Sequence, residues 1–150
     1  MRDALSGVSR CGGSEGDVAE DVSNTVHGTG RFERLGSYAR ARRVGDLVFV
    51  AGTTAIEPSG RVHAPGDVYE QTRFVLTRID EILRECGATL ADVVRTVAYL
   101  TDMAAAEGFV RAHGEAFAGI EPVCTAVGVE LATPGLTVEI EVQAIIQHRS

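Results

Sequence analysis

The sequence predicts an α+β fold, a mixed β-sheet with two helices packed on one of its faces. Three observations point there. Strand-like and helical segments follow one another in the order ββ, α, β, α, ββ. "DVVRTVAYLTD" (92–102) is apolar nearly throughout, as a central strand is. "LTVEIEVQA" alternates, placing Val138, Ile140, Val142 and Ala144 on one face and Glu139, Glu141 and Gln143 on the other.

Residues 1–30, rich in Gly, Ser and acidic groups without periodicity, are expected to form a flexible N-terminal tail, with the domain over 31–150. Tyr38–Val44 and Leu47–Thr54 read as two strands joined by a tight turn at Gly45-Asp46. "EPSGRVHAPG" (57–66) is a loop. In "DVYEQTRFVLTRIDEILRECG" (67–87), Asp67 and Glu70 have capping-box spacing. Val68, Val75, Ile79, Ile82 and Cys86 form a helical stripe broadened by Leu76 and Leu83, and Gly87 stops the helix. A second helix spans 102–118, capped by Asp102, with Phe109, Val110, His113 and Phe117 on one face; His113 reads as a packing residue. Strands Val123–Glu130 and Leu136–Gln147 close the domain. No further element remains to cover the second face of the sheet, so self-association is expected.

Composition removes several function classes. At 150 residues the chain is one domain with room for a core, and 45% hydrophobic residues argue for a globular protein. A net charge of −7 argues against general nucleic-acid binding. No apolar run approaches a membrane span and residues 1–20 are too polar for a signal peptide, so the expected location is cytoplasmic. All 14 basic side chains are arginine, which excludes a lysine Schiff base and a P-loop lysine. Cys11, Cys86 and Cys124 form no CxxC, and the four histidines are scattered, so local spacing indicates neither a disulfide framework nor a metal site.

Two carboxylates on one face of a central strand either are solvated and ion-paired or, if buried, need a partner or a proton. Tyr38, Thr53, Thr54 and Thr125 are the other polar groups on predicted strands. From the residues alone the reading ends at a self-associating α+β domain with a carboxylate-lined face.

Three segments then follow one another in a familiar way: "GSYARARRVGDLVFVAGTTA", "YEQTRFVLTRIDEILRECGATLADVVRTVAYLTDM" and "EPVCTAVGVELATPGLTVEIEVQA". Over residues 34–147 the chain resembles the reactive intermediate deaminase (Rid) family, also called YjgF-like. The resemblance implies a chorismate-mutase-like homotrimer whose sheets form a central barrel, with helices outside and clefts between subunits. It further implies cofactor-free hydrolysis of enamines and imines, such as 2-aminoacrylate, to a keto acid and ammonia. The family's cleft tyrosine matches Tyr38 and its final-strand glutamate, the candidate catalytic residue, matches Glu139. Its "SG" pair matches Ala51-Gly52, with alanine in place of serine. Its arginine two residues after a proline falls on Cys124, followed by Thr125.

That last departure bears on substrate. Arginine grips a carboxylate through two charge-assisted hydrogen bonds, whereas cysteine offers one weak donor. Cys124 reads as a small residue that enlarges and neutralises the pocket, as packing in a cleft without chemistry, or as a nucleophile without a marked activating base. Arg40, Arg42 and Arg95 are candidates to replace the missing cation. The expected substrate is a reactive imine or enamine that is larger or less anionic than 2-aminoacrylate, in a pathway of specialised metabolism. Hydrolysis is the default reaction. Condensation or cyclisation, and non-catalytic ligand binding by a trimer, are the alternatives; endoribonuclease activity, attributed to some relatives, fits poorly with the acidic charge.

Overall fold

The computed structural model describes residues 22–148. Six strands form one mixed sheet in the order β1-β2-β3-β6-β4-β5: β1 Thr25–Val26, β2 Ala41–Val44, β3 Leu47–Thr54, β4 Val93–Leu100, β5 Val123–Gly128 and β6 Val138–Ile145. Only the β4–β5 pair is parallel. Helices α2 (Val68–Glu85) and α3 (Ala106–Ala116) lie on one face, as the sequence predicts, and a short α1 (Arg31–Gly36) precedes β2. No helix among the described residues is long and apolar enough to cross a membrane.

Helix α2 follows its sequence signals except that the capping box is half formed, the Asp67 amide donating to the Ala64 carbonyl and not to Glu70. The Asp67 carboxylate accepts from the Glu70 amide at 3.0 Å, and Gly87, at φ +77°, carries the chain away from the helix in a conformation that favours glycine. Val75, Ile79, Leu83 and Cys86 are fully buried, each large aliphatic side chain contributing about 1.5–3 kcal/mol of transfer free energy. They meet Val138, Ile140, Val142 and Ala144 from the predicted apolar face of β6, all buried. The opposite face of β6 bears the half-buried Glu139, Glu141 and Gln143.

Strands β5 and β6 stop short of the expected Glu130 and Gln147, α3 begins at Ala106 after a 3-10 turn, and three further readings differ. The last part of the expected tail carries structure: Thr25 and Val26 pair with Arg42 and Ala41, and Val26 is buried. A two-residue strand is too short to show a period, which is why it has no sequence signature. The rest of that segment, residues 1–21, lies outside the described residues. Second, Tyr38 is not on a strand. Helix α1 ends at Ser37, in the left-handed region at φ +52°, and β2 starts only at Ala41. Third, Val110 leaves the buried face of α3 and is exposed, because the 100° step from Phe109 turns it outward, while Phe109 and Phe117 are buried.

His113 sits between those two rings, at centroid distances of 5.3 and 4.6 Å, with its Nε2 at 2.9 Å from the Thr96 hydroxyl. It is the packing histidine expected. Burial lowers its pKa below the ordinary 6.5. As pH falls below that value, the unfolded chain takes a proton that the native state refuses, so stability drops. Thermal unfolding of native and His113→Phe protein, from neutral pH down to about pH 5, will show this loss as a fall in native stability relative to the variant.

Candidate functional site

The sheet face away from the helices carries the polar groups. A β-bulge creates its central feature: β3 and β6 pair in register up to Val50–Val142 and again from Thr53–Ile140, setting Ala51 and Gly52 against the single residue Glu141. The Glu139 carboxylate packs directly against the Gly52 Cα, where any Cβ would overlap its Oε1. A side chain at position 52 would therefore have to displace the Glu139 carboxyl from the bulge.

The bulge is held on several sides. The Ala51 amide donates to the Arg40 carbonyl at 2.9 Å, and the Thr53 hydroxyl donates to the Ala51 carbonyl at 3.0 Å. Arg40 Nη2 donates to the Gly52 carbonyl at 2.7 Å and to Thr53 Oγ1 at 2.9 Å. Its Nε faces Glu33 Oε1 at 3.5 Å. Burial pushes the Glu139 carboxyl above the ordinary carboxylate value; the Arg40 charge opposes the shift and the Glu141 charge adds to it. The Tyr99 hydroxyl donates to Glu141 Oε2 at 3.3 Å, and burial, with the Glu141 charge beside it, raises the phenol's pKa.

Two concavities meet at Glu141. One, of about 310 Å³, is lined by Gly52, Tyr99, Glu130, Glu139 and Glu141 among others. The larger, of about 700 Å³, lies beyond the bulge and is lined by Glu33, Tyr38, Arg42, Phe49, Ala51 and Glu141 among others. Among the described residues no cluster of His, Cys, Asp and Glu is arranged to hold a metal ion.

The predicted site residues separate into two groups. Tyr38, Ala51, Gly52 and Glu139 line adjoining concavities. Cys124 and Thr125 do not join them within one chain. On the edge strand β5, Cys124 is level with Thr96 and so faces the helix side, opposite to Glu139, whereas Thr125 is level with Val97 and shares the carboxylate face. The intervening β4 keeps Thr125 two strand spacings, roughly 9.5 Å, from β6. Every residue of β5 is exposed on both faces, Val123 at 67%. Cys86, in contrast, is core. Of the three arginines weighed as replacements, Arg40 is engaged at the bulge, Arg42 lines the larger concavity, and Arg95 stands level with Gln143 on the open face. Tyr99 and Glu33 have no sequence signal: one sits in an apolar strand, the other in a helix too short to show a period.

The chain's relatives can be set against this geometry. A family model described as Endoribonuclease L-PSP matches residues 29–146, most of the chain. The chain belongs to the YjgF/Rid family. A crystal structure from Mycobacterium tuberculosis, of Rv2704 in the YjgF/YER057c/UK114 family, is 44% identical, with a TM-score of 0.72 over 81% of this chain and 98% of that one. A RutC family protein of Pyrococcus abyssi is 36% identical over 71% of this chain and 84% of its own length. The mouse 2-iminobutanoate/2-iminopropanoate deaminase is 30% identical over 74% of this chain and 82% of that protein. This Rid-family chain thus has the YjgF-like fold expected of it, with α1 added to the two predicted helices.

Proposed function

We propose that this Rid-family protein is a homotrimer that hydrolyses a reactive imine or enamine, in clefts between subunits, to a carbonyl compound and ammonia. The observation that carries the reading is the Glu139 carboxylate seated against the Gly52 bulge, half-buried and with its proton affinity raised. A carboxyl poised nearer neutrality is better suited to moving protons both ways than an ordinary one. Water adds to the imine carbon while Glu139 takes its proton. That proton passes to the nitrogen to give the neutral carbinolamine; Glu139 then takes the carbinolamine hydroxyl proton and delivers it to the nitrogen, so that the C–N bond breaks and ammonia leaves as the C=O bond forms. Kinship with the mouse deaminase supports the reaction class.

The trimer is supported by what one chain leaves open. The apolar Phe49 and Val127 are exposed, β5 is uncovered, and Cys124 and Thr125 lie apart from Glu139. A cleft built from two copies brings the two groups of residues into one site.

The substrate carries no compact carboxylate to be gripped. Cys124 stands where the arginine would be, and the smaller concavity beside Glu139 is lined by the carboxylates of Glu130, Glu139 and Glu141. Imines generated in the presence of semicarbazide, which traps them, test this. Native protein is expected to lower trapping of neutral or bulky imines and not of small imino acids, and Cys124→Arg to extend the action to small imino acids by about tenfold or more, the scale of one charge-assisted contact. If native protein hydrolyses no imine faster than buffer does, the reaction is wrong and a cyclisation or a binding role takes its place.

A further inference from the structure

We propose that Arg40 is the positioning residue of the Glu139 site: its guanidinium pins the Ala51-Gly52 bulge on which Glu139 rests and sets a positive charge beside it, which Glu33 tempers from the other side. The assignment rests on the reading of Glu139 as the site's acid/base. Arg40 was a candidate to grip substrate in place of the missing arginine. Its geometry gives it another task. Nη2 is already committed to the Gly52 carbonyl at 2.7 Å and to Thr53 Oγ1 at 2.9 Å, with the Ala51 carbonyl at 3.4 Å, and Nε faces Glu33. The side chains of Arg40 and Glu33 are only 20% and 12% exposed, so water screens the pair little.

A planar guanidinium can reach bulge carbonyls, a hydroxyl and a carboxylate at once; a lysine ammonium or a neutral amide cannot. The other Glu33 oxygen, Oε2, is buried without a hydrogen-bond partner, so Arg40 is the one cation compensating that carboxylate among the described residues. From the remaining elements, the groups facing Glu139 are Glu141 on β6, Tyr99 on β4 and Glu130 beyond β5. None of these brings a positive charge. Arg40 is therefore the cation that opposes burial and the Glu141 charge in setting how much carboxylate Glu139 holds, with Glu33 subtracting from its influence.

The test is a titration of the Glu139 side chain by NMR in protein labelled with ¹³C at glutamate carboxyls, its signal identified by its absence in Glu139→Gln. Arg40→Gln is expected to raise the midpoint, Arg40→Lys to stay nearer to native, and Glu33→Gln to lower it, because loss of the anion leaves more of the Arg40 charge acting on Glu139. A scaffold residue would move neither. An unmoved midpoint in folded Arg40→Gln overturns the proposal, and so does an unmoved or raised midpoint in Glu33→Gln, which decides the matter if Arg40→Gln fails to fold. The measurement needs no turnover. Shifts as expected in a protein that hydrolyses no imine would leave Arg40 in place and remove the hydrolytic reading. Glu139-dependent hydrolysis with an unmoved midpoint would remove Arg40 alone.

Discussion

Glu139→Gln is expected to lower the rate of imine hydrolysis by about 100- to 10,000-fold, the usual worth of a general acid/base, while making the folded protein more stable near neutral pH. Glutamine has the shape of glutamate, so it keeps the contact with Gly52 that no larger backbone neighbour would allow. What it lacks is a proton acceptor, so the water attacking the imine has no base. The stability gain follows from the direction of the pKa shift. In the folded state the Glu139 carboxyl titrates above its ordinary value of 4.5. Its favourable contribution is fully present below the unfolded value and is lost as pH rises through the folded one. At neutral pH the native protein therefore carries a partly desolvated carboxylate that Gln removes. Turnover at saturating imine, with urea unfolding at about pH 4 and about pH 7.5, reads both effects. The variant's extra stability will be present at the higher pH and absent at the lower. A rate within a few-fold of native would remove Glu139 from the chemistry.

What the sequence discloses of this site depends on how far apart the interacting residues lie. The alternation in β6 is local, so the pairing of an apolar face with Glu139, Glu141 and Gln143 is legible at once. Helix α2 is legible for the same reason, since Asp67, Glu70, its apolar stripe and Gly87 occur within one run. The role of Arg40 is set by carbonyls 11 and 12 residues further on, and that of Tyr99 by Glu141, 42 residues away. Register decides both, and register is fixed here by a bulge that no single residue announces. Glu139 itself is marked as catalytic by resemblance, not by spacing. The same reasoning explains Cys124: its position after Pro122 is plain in the sequence, but its facing away from Glu139 follows only from the parallel pairing of β5 with β4.

Gln71→Leu, a change with no obvious cost in the sequence, is expected to destabilise the protein by about 1–3 kcal/mol, the range for leaving a donor unsatisfied. Gln71 lies in the first turns of α2 and is fully buried. Its Nε2 donates to the Gly135 carbonyl at 2.8 Å and the Ala64 carbonyl at 3.1 Å, and its Oε1 accepts from the Thr137 amide at 2.8 Å and the Thr137 hydroxyl at 2.9 Å. The two carbonyls retain other donors, from Gly66 and Asp67. Thr137 does not, so leucine leaves its half-buried amide and hydroxyl without the side-chain partner that Gln71 supplies. Thr137 is the residue before β6 and lies two positions from Glu139, so the loss reaches the site as well as the core. Gln71→Glu separates polarity from shape. Its carboxylate can still accept from Thr137, but it turns a negative oxygen toward the Gly135 and Ala64 carbonyls where the amide had donated. Only the protonated acid restores a donor there. The Glu variant is therefore predicted to have a raised folded-state pKa and to regain stability relative to native protein as pH falls, whereas the Leu variant keeps a constant deficit. Urea unfolding at fixed protein concentration, at about pH 5 and about pH 8, distinguishes the two. Equal losses at both pH values for both variants would mean that packing, not the four hydrogen bonds, is what Gln71 supplies.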